Sequence, residues 1–129
     1  MSHVLLVALG GGLGASARYL TNLAALRVLG PNFPWGTITV NILGSFLMGV
    51  LIATLARMSG TSAEVRSFLA TGFLGGFTTF SAFSLDFASM WERGDQGAGM
   101  AYLLASVVIS ILALFAGLWI MRWLAGGVL

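Results

Sequence analysis

Apolar residues run through this chain in long stretches set apart by short polar joints. A spanning helix needs roughly 20 predominantly apolar residues. Four segments qualify, at about residues 4–26, 35–56, 65–90 and 98–123. The first is interrupted by Arg18, the second carries no charge, and the fourth is uncharged until Arg122. Gly30-Pro31-Asn32-Phe33-Pro34 reads as a turn, because proline cannot continue a helix and biases the preceding residue toward extended geometry. The second joint covers residues 58–64, where Thr61 and Glu64 match a capping box that would start helix three. The third, residues 92–97, is polar and glycine-rich. The pattern predicts one all-α integral membrane domain over residues 1–129, with four transmembrane helices.

The third segment breaks its own pattern. Gly72, Gly75 and Gly76 precede Thr78 and Thr79. Glycine costs about 1 kcal/mol in a helix interior relative to alanine, and threonine hydroxyls compete for backbone partners. The reading is a helix three broken mid-membrane. In hydrocarbon every N–H and C=O needs a partner, so a break is tolerated only where protein or a bound ion satisfies the freed groups. Such breaks are where transporters and channels hold ions.

Small residues suggest how the helices meet. Gly10 and Gly14 form a G-x-x-x-G step, Gly11 and Ala15 a second small pair, and Ser45 and Gly49 a third. Faces of this kind let backbones approach closely in lipid, and plain packing is the reading preferred for them.

Composition agrees with a membrane chain. The sequence is 58% hydrophobic and 8% charged, with a mean hydropathy of +0.98, against about 25% charged residues in a soluble domain. The net charge of +2 rests on six arginines and four acids, so no basic patch points to nucleic acid. There is no cysteine, hence no disulfide framework or thiolate site. His3 stands alone near the terminus, and no nucleophile–base pair or metal cluster points to an enzyme. The first residues lack a basic n-region and an A-x-A-like cleavage site, so no signal peptide is read.

Charge barely orients the chain. With four spans, Arg57, Arg66 and Arg122 fall on one side; Arg27, Arg93 and, depending on depth, Arg18 fall on the other. The positive-inside rule needs an excess. The reading is insertion in both orientations and head-to-tail pairing.

Polar groups inside the spans are few. Thr37, Asn41, Gly44 and Ser45 share one face of the second helix, and Tyr102, Ser106 and Ser110 share one face of the fourth. Interhelical hydrogen bonding would account for each stripe; a polar path would account for both together. Arg18 could snorkel to the interface or face a watery vestibule and attract anions. Asp86 reads as the polar end of helix three. Phe80 and Phe83 stand at i, i+3 with Ser81 between them. Ring edges are the positive part of the aromatic quadrupole, so amide, hydroxyls and ring edges suit a small anion.

Gly11-Gly12-Leu13-Gly14-Ala15-Ser16-Ala17-Arg18-Tyr19, Asn41-Ile42-Leu43-Gly44 and Gly72-Phe73-Leu74-Gly75-Gly76-Phe77-Thr78-Thr79-Phe80-Ser81-Ala82-Phe83 together resemble the signatures of the fluoride channels of the Fluc (CrcB) family. The resemblance covers essentially the whole chain, and the third motif is its most specific part. It implies a passive exporter of cytoplasmic fluoride in a bacterial inner membrane. The family's members are antiparallel dual-topology homodimers embedded in lipid, with two pores. It implies that Asn41, Phe80, Phe83, Ser110, Thr37 and Ser81 belong to the fluoride pore and that Arg18 stands at its vestibule. It also implies a structural sodium ion on the dimer axis, held by the carbonyls of Gly75 and Thr78. The chain departs from the family in carrying Ala82 where threonine is common, so one hydroxyl of the polar track is missing. Two other readings stand beside it. A small-multidrug-resistance-type proton-coupled cation exporter needs an intramembrane carboxylate, which helices one and two lack. A membrane scaffold subunit without transport explains the small-residue faces but not a broken helix beside a phenylalanine pair.

Overall fold

A backbone in hydrocarbon has to pair with itself, and the helix does so within one segment. The computed structural model, which describes residues 2–58, 60 and 62–126, is helical throughout, with no strand among the described residues. Helices α1 (Ser2–Leu29) and α2 (Trp35–Arg57) are followed by a composite third span. That span consists of α3 (Ala63–Arg66), a π-helical segment (Ser67–Leu74), α4 (Gly75–Phe77) and α5 (Phe80–Glu92). Helix α6 (Gln96–Leu124) completes the bundle. Four stretches, Ser2–Leu29, Trp35–Arg57, Ala63–Glu92 and Gln96–Leu124, are long and apolar enough to cross a membrane.

The joints follow the sequence closely. Gly30 ends α1 with φ +82°, a conformation that a Cβ disfavours, and its N–H caps Leu26 O at 3.0 Å. Gly94, φ +97°, does the same service after α5. Thr61 lies outside the described residues. The side chain seen at the start of α3 is Ser62, whose hydroxyl accepts from Val65 N–H at 3.2 Å.

The third span holds two departures from a plain α-helix. Residues 67–74 are wound as a π-helix, which nothing in the composition announced. The glycines at 72, 75 and 76 are themselves helical; helical geometry lapses only at Thr78 (φ −87°, ψ 159°) and Thr79 (φ −153°, ψ 123°). It resumes at Phe80, with Thr79 Oγ1 capping α5 through Ala82 N–H at 3.1 Å.

Glycines set the packing. A Cβ at Gly14 would run into Phe73 O, and one at Gly76 would meet Gly11 O at 2.5 Å, so α1 lies backbone to backbone along the π segment and α4. On the other side of the bundle, a Cβ at Gly49 would strike Leu114 O, and one at Gly117 would strike Phe46 O. Gly49 therefore pairs with Gly117 of α6, while Ser45 turns to a cavity described below. One buried apolar cluster joins Ile38, Phe83, Met90 and Tyr102, backed by Phe33, Ile42 and Phe87; Val40, Ala53, Ala70, Leu74 and Phe77 are buried as well. Large apolar side chains such as Leu112, Phe115 and Trp123 point outward, as lipid permits and water would not.

The glycines are not equivalent, and this can be measured. Nothing stands within 4 Å of a Cβ added at Gly12. Gly12→Ala is expected to hold or slightly raise the melting temperature of the detergent-purified protein. Gly14→Ala is expected to cost about 2 kcal/mol by overpacking, read as a lower melting temperature and a loss of the monodisperse chromatographic peak.

Candidate functional site

Extended residues at Thr78 and Thr79 leave backbone groups without helical partners, and α2 supplies the remedy. Asn41 Nδ2 donates to Thr79 O at 2.9 Å, and Thr79 N–H donates to Asn41 Oδ1 at 2.7 Å. One amide thus matches one peptide residue on both its edges. Thr78 turns inward on its own helix: its N–H and its hydroxyl both donate to Leu74 O, at 3.0 and 2.9 Å. Gly44 makes room for it, since a Cβ there would collide with Thr78 Cγ2. From α1, Arg18 Nε donates to Gly76 O at 3.1 Å. Arg18 is therefore half-buried at the end of α4, where the carbonyl end of a helix favours a cation. No hydrogen bond from a described residue reaches the carbonyls of Gly75 or Thr78.

Beside this junction lies a cavity of about 300 Å³, walled by Asn41, Ser45, Thr78, Thr79, Phe80, Phe83, Ser106 and Ser110. Its polar wall is neutral. The hydroxyls of Ser106 and Ser110 are buried and have no hydrogen-bond partner. A serine in a membrane helix usually bonds back to its own preceding turn; these two do not, although Ser16 and Ser84 do. Asn41 directs one N–H to Thr79 and keeps a second N–H. The rings of Phe80 and Phe83 lie 5.5 Å apart at 56°. Phe83 is buried, whereas Phe80 is 77% exposed on the outer face of this chain.

A second cavity of about 340 Å³ opens near the turn after α1, among Asn22, Thr37, Asp86, Ser89 and Arg93. Tyr102, fully buried, donates its hydroxyl to Asp86 Oδ2 at 3.0 Å. Phe83 packs on Tyr102 at 5.3 Å, so an aromatic pair stands between the two cavities.

The expected residues divide accordingly. Asn41, Phe80, Phe83 and Ser110 meet at the first cavity, and Thr37 borders the second. Ser81 is exposed, with its hydroxyl 3.3 Å from that of Thr79. Arg18 reaches neither cavity wall and sits instead on the Gly76 carbonyl. Asp86 is more than a polar helix end: it is half-buried and anchors Tyr102. Residue 79 carried no expectation of its own, and the pairing of its backbone with Asn41 depends on two helices distant in sequence. The stripe of Tyr102, Ser106 and Ser110 was the one signal in the chain for the far wall.

Fold and site together define a small multi-pass membrane protein whose spans enclose a neutral, donor-lined cavity beside an aromatic pair. Comparison with known proteins narrows this. The profile of the family described as CrcB-like protein, Camphor Resistance (CrcB), matches residues 5–118. A protein of Mesorhizobium japonicum named fluoride-specific ion channel FluC is 61% identical over 122 residues, covering 95% of this chain and 98% of its own. Its namesake from a Chelativorans species is 62% identical over the same shares. One from Cereibacter sphaeroides is 55% identical over 126 residues, 97% of this chain and 99% of its own. The chain belongs to the CrcB family, and it is a multi-pass membrane protein of a bacterium.

The double hydrogen bond at Thr79 makes Asn41 structural as well as polar. Asn41→Ala leaves an N–H and a C=O unpaired away from water, at about 1–3 kcal/mol each. We expect a clear drop in the thermal unfolding midpoint in detergent, larger than that of Ser45→Ala, which removes a hydroxyl and orphans no backbone group.

Proposed function

We propose that this chain is a fluoride-selective channel that lets cytoplasmic fluoride leave passively, and that it catalyses no reaction. The observation that carries the reading is the pair of unpartnered, buried serine hydroxyls, of residues that line one cavity with Asn41, Phe80 and Phe83. Fluoride is small and strongly hydrated, so a pore has to replace its water with donors in quick succession. Binding also has to be weak enough to release the ion. Hydroxyls, one amide N–H and the positive edges of two rings meet both demands; a full cation on the cavity wall would hold the ion. The relatives' names carry the same assignment. In this reading Asn41, Ser110, Phe80 and Phe83 line the pore, with Thr37 and Ser81 along its approaches. Fluoride crosses a membrane as neutral HF, ionises in the cytoplasm, and is driven out by the membrane potential.

The working unit in this proposal is an antiparallel homodimer in the inner membrane, with two pores and helix three broken at its centre. Phe80 and Leu85 stand 77% and 67% exposed on the same helix, a face that a second copy would cover. The near balance of arginines on the two sides fits insertion both ways. The Gly75 and Thr78 carbonyls, lacking hydrogen-bond donors, fit a hard cation such as sodium. Two oxygens per chain are too few for it, and a second chain would double them. Bound there, sodium would supply positive charge to carbonyls that lipid cannot satisfy.

A proton-coupled cation exporter remains the specific rival because of Asp86, a half-buried carboxylate in the third span. Its hydrogen bond from Tyr102 and its place outside the serine-lined cavity speak against that role.

Proteoliposomes loaded with fluoride and chloride and read with ion electrodes test the assignment. We expect rapid fluoride efflux, no chloride efflux, and no uptake of a quaternary cation down a proton gradient. Asn41→Asp and Phe80→Ile are expected to lower fluoride efflux at least about 100-fold, the scale of losing a charge-matched donor or contact, while the purified protein keeps its oligomeric size. The chain has no cysteine, so single cysteines at Asn32 and Asp95 can be labelled from one side. Labelling of about half the molecules at each site is expected for dual topology; full or absent labelling would leave one orientation.

A further inference from the structure

The geometry points to Arg18 as a positioning residue for the carbonyls of Gly75 and Thr78, and not as an anion attractor alone. The inference deepens the sodium site proposed above and rests on that reading. Gly11, Gly14 and Arg18 recur three and four residues apart, which places them on one face of α1. Gly11 and Gly14 press their backbones against Gly76 and Phe73. That close approach brings the Arg18 side chain alongside α4, so that Nε donates to Gly76 O at 3.1 Å. Two consecutive glycines open α4, ahead of Phe77, and glycine has more conformational freedom to lose than any other residue. Successive helical carbonyls fan out by about 100° per residue. The Gly76 carbonyl is thus held on the side of α1, while residue 75, one step around the axis, is exposed. Thr78 follows two residues later, its own N–H and hydroxyl held by Leu74. Arg18 thus holds one carbonyl of the junction and leaves its neighbours preset for a cation.

A guanidinium near a cation site also repels, and the two effects have opposite signs. Preorganisation predicts that losing Arg18 weakens sodium binding. Charge repulsion predicts that losing it strengthens sodium binding.

The test uses the full-length purified protein in detergent, with sodium chloride replaced by N-methylglucamine chloride at constant ionic strength. The readout is the melting temperature against sodium concentration. We expect Arg18→Gln to raise the sodium concentration for half-maximal stabilisation about tenfold, the scale of one hydrogen bond to a charged group. Arg18→Lys keeps the charge without the planar donor and is expected to fall between the two, which keeps the test open if Arg18→Gln does not fold. A uniform drop in melting temperature with no change in the sodium midpoint would assign Arg18 to packing and overturn the inference. A lowered midpoint would overturn it in favour of repulsion. Wild-type protein indifferent to sodium would remove the sodium site itself, and this inference with it.

Discussion

The structure turns on the peptide groups of Thr78 and Thr79, which leave helical geometry inside a segment that lipid would otherwise hold as helix. An unpaired N–H or C=O at that depth costs several kcal/mol. Three of these four groups are met by particular neighbours: Asn41 takes both groups of Thr79 and Leu74 takes the Thr78 N–H; Arg18 takes the nearby Gly76 carbonyl. Because the partners come from α1, α2 and the third span itself, the junction ties three of the four spanning segments to one point. No hydrogen bond from a described residue reaches the carbonyls of Gly75 and Thr78.

Close helix packing makes those contacts reachable. An arginine on α1 meets a carbonyl of α4 through Nε only because Gly11 and Gly76 touch backbone to backbone. A Cβ at Gly76 would meet the Gly11 carbonyl at 2.5 Å, push α1 outward and break the bond. The same principle operates between α2 and α6, where Gly49 and Gly117 interlock and bring Asn41 and Ser110 to a common cavity. Small residues in the spans thus act on the site indirectly, by setting how far its walls stand apart.

The site's chemistry follows from what those walls lack. No charged side chain lines the cavity at Asn41, and two of its hydroxyls find no protein partner. An unsatisfied donor in a low dielectric is expensive unless a solute or water meets it, and the proposed pore reading gives these two hydroxyls an acceptor. The carboxylate of Asp86 is kept apart by the packed rings of Phe83 and Tyr102 and is held by the tyrosine hydroxyl.

Four spans, their short joints and the apolar outer surface were legible in the sequence, because helix formation in lipid depends on local composition and length. The stripes at Thr37, Asn41 and Ser45 and at Tyr102, Ser106 and Ser110 were legible too, since helical periodicity assigns residues to faces without knowing what the faces meet. What lay beyond it were the meetings themselves. The pairing of Asn41 with Thr79 joins residues 38 apart in the chain, and that of Arg18 with Gly76 joins residues 58 apart. The π-helical winding of residues 67–74, the pairing of Gly49 with Gly117 and the anchoring of Asp86 by Tyr102 also depend on contacts between spans. A sequence assigns each backbone group a need for a partner; only the packed bundle decides which neighbour is close enough to meet it.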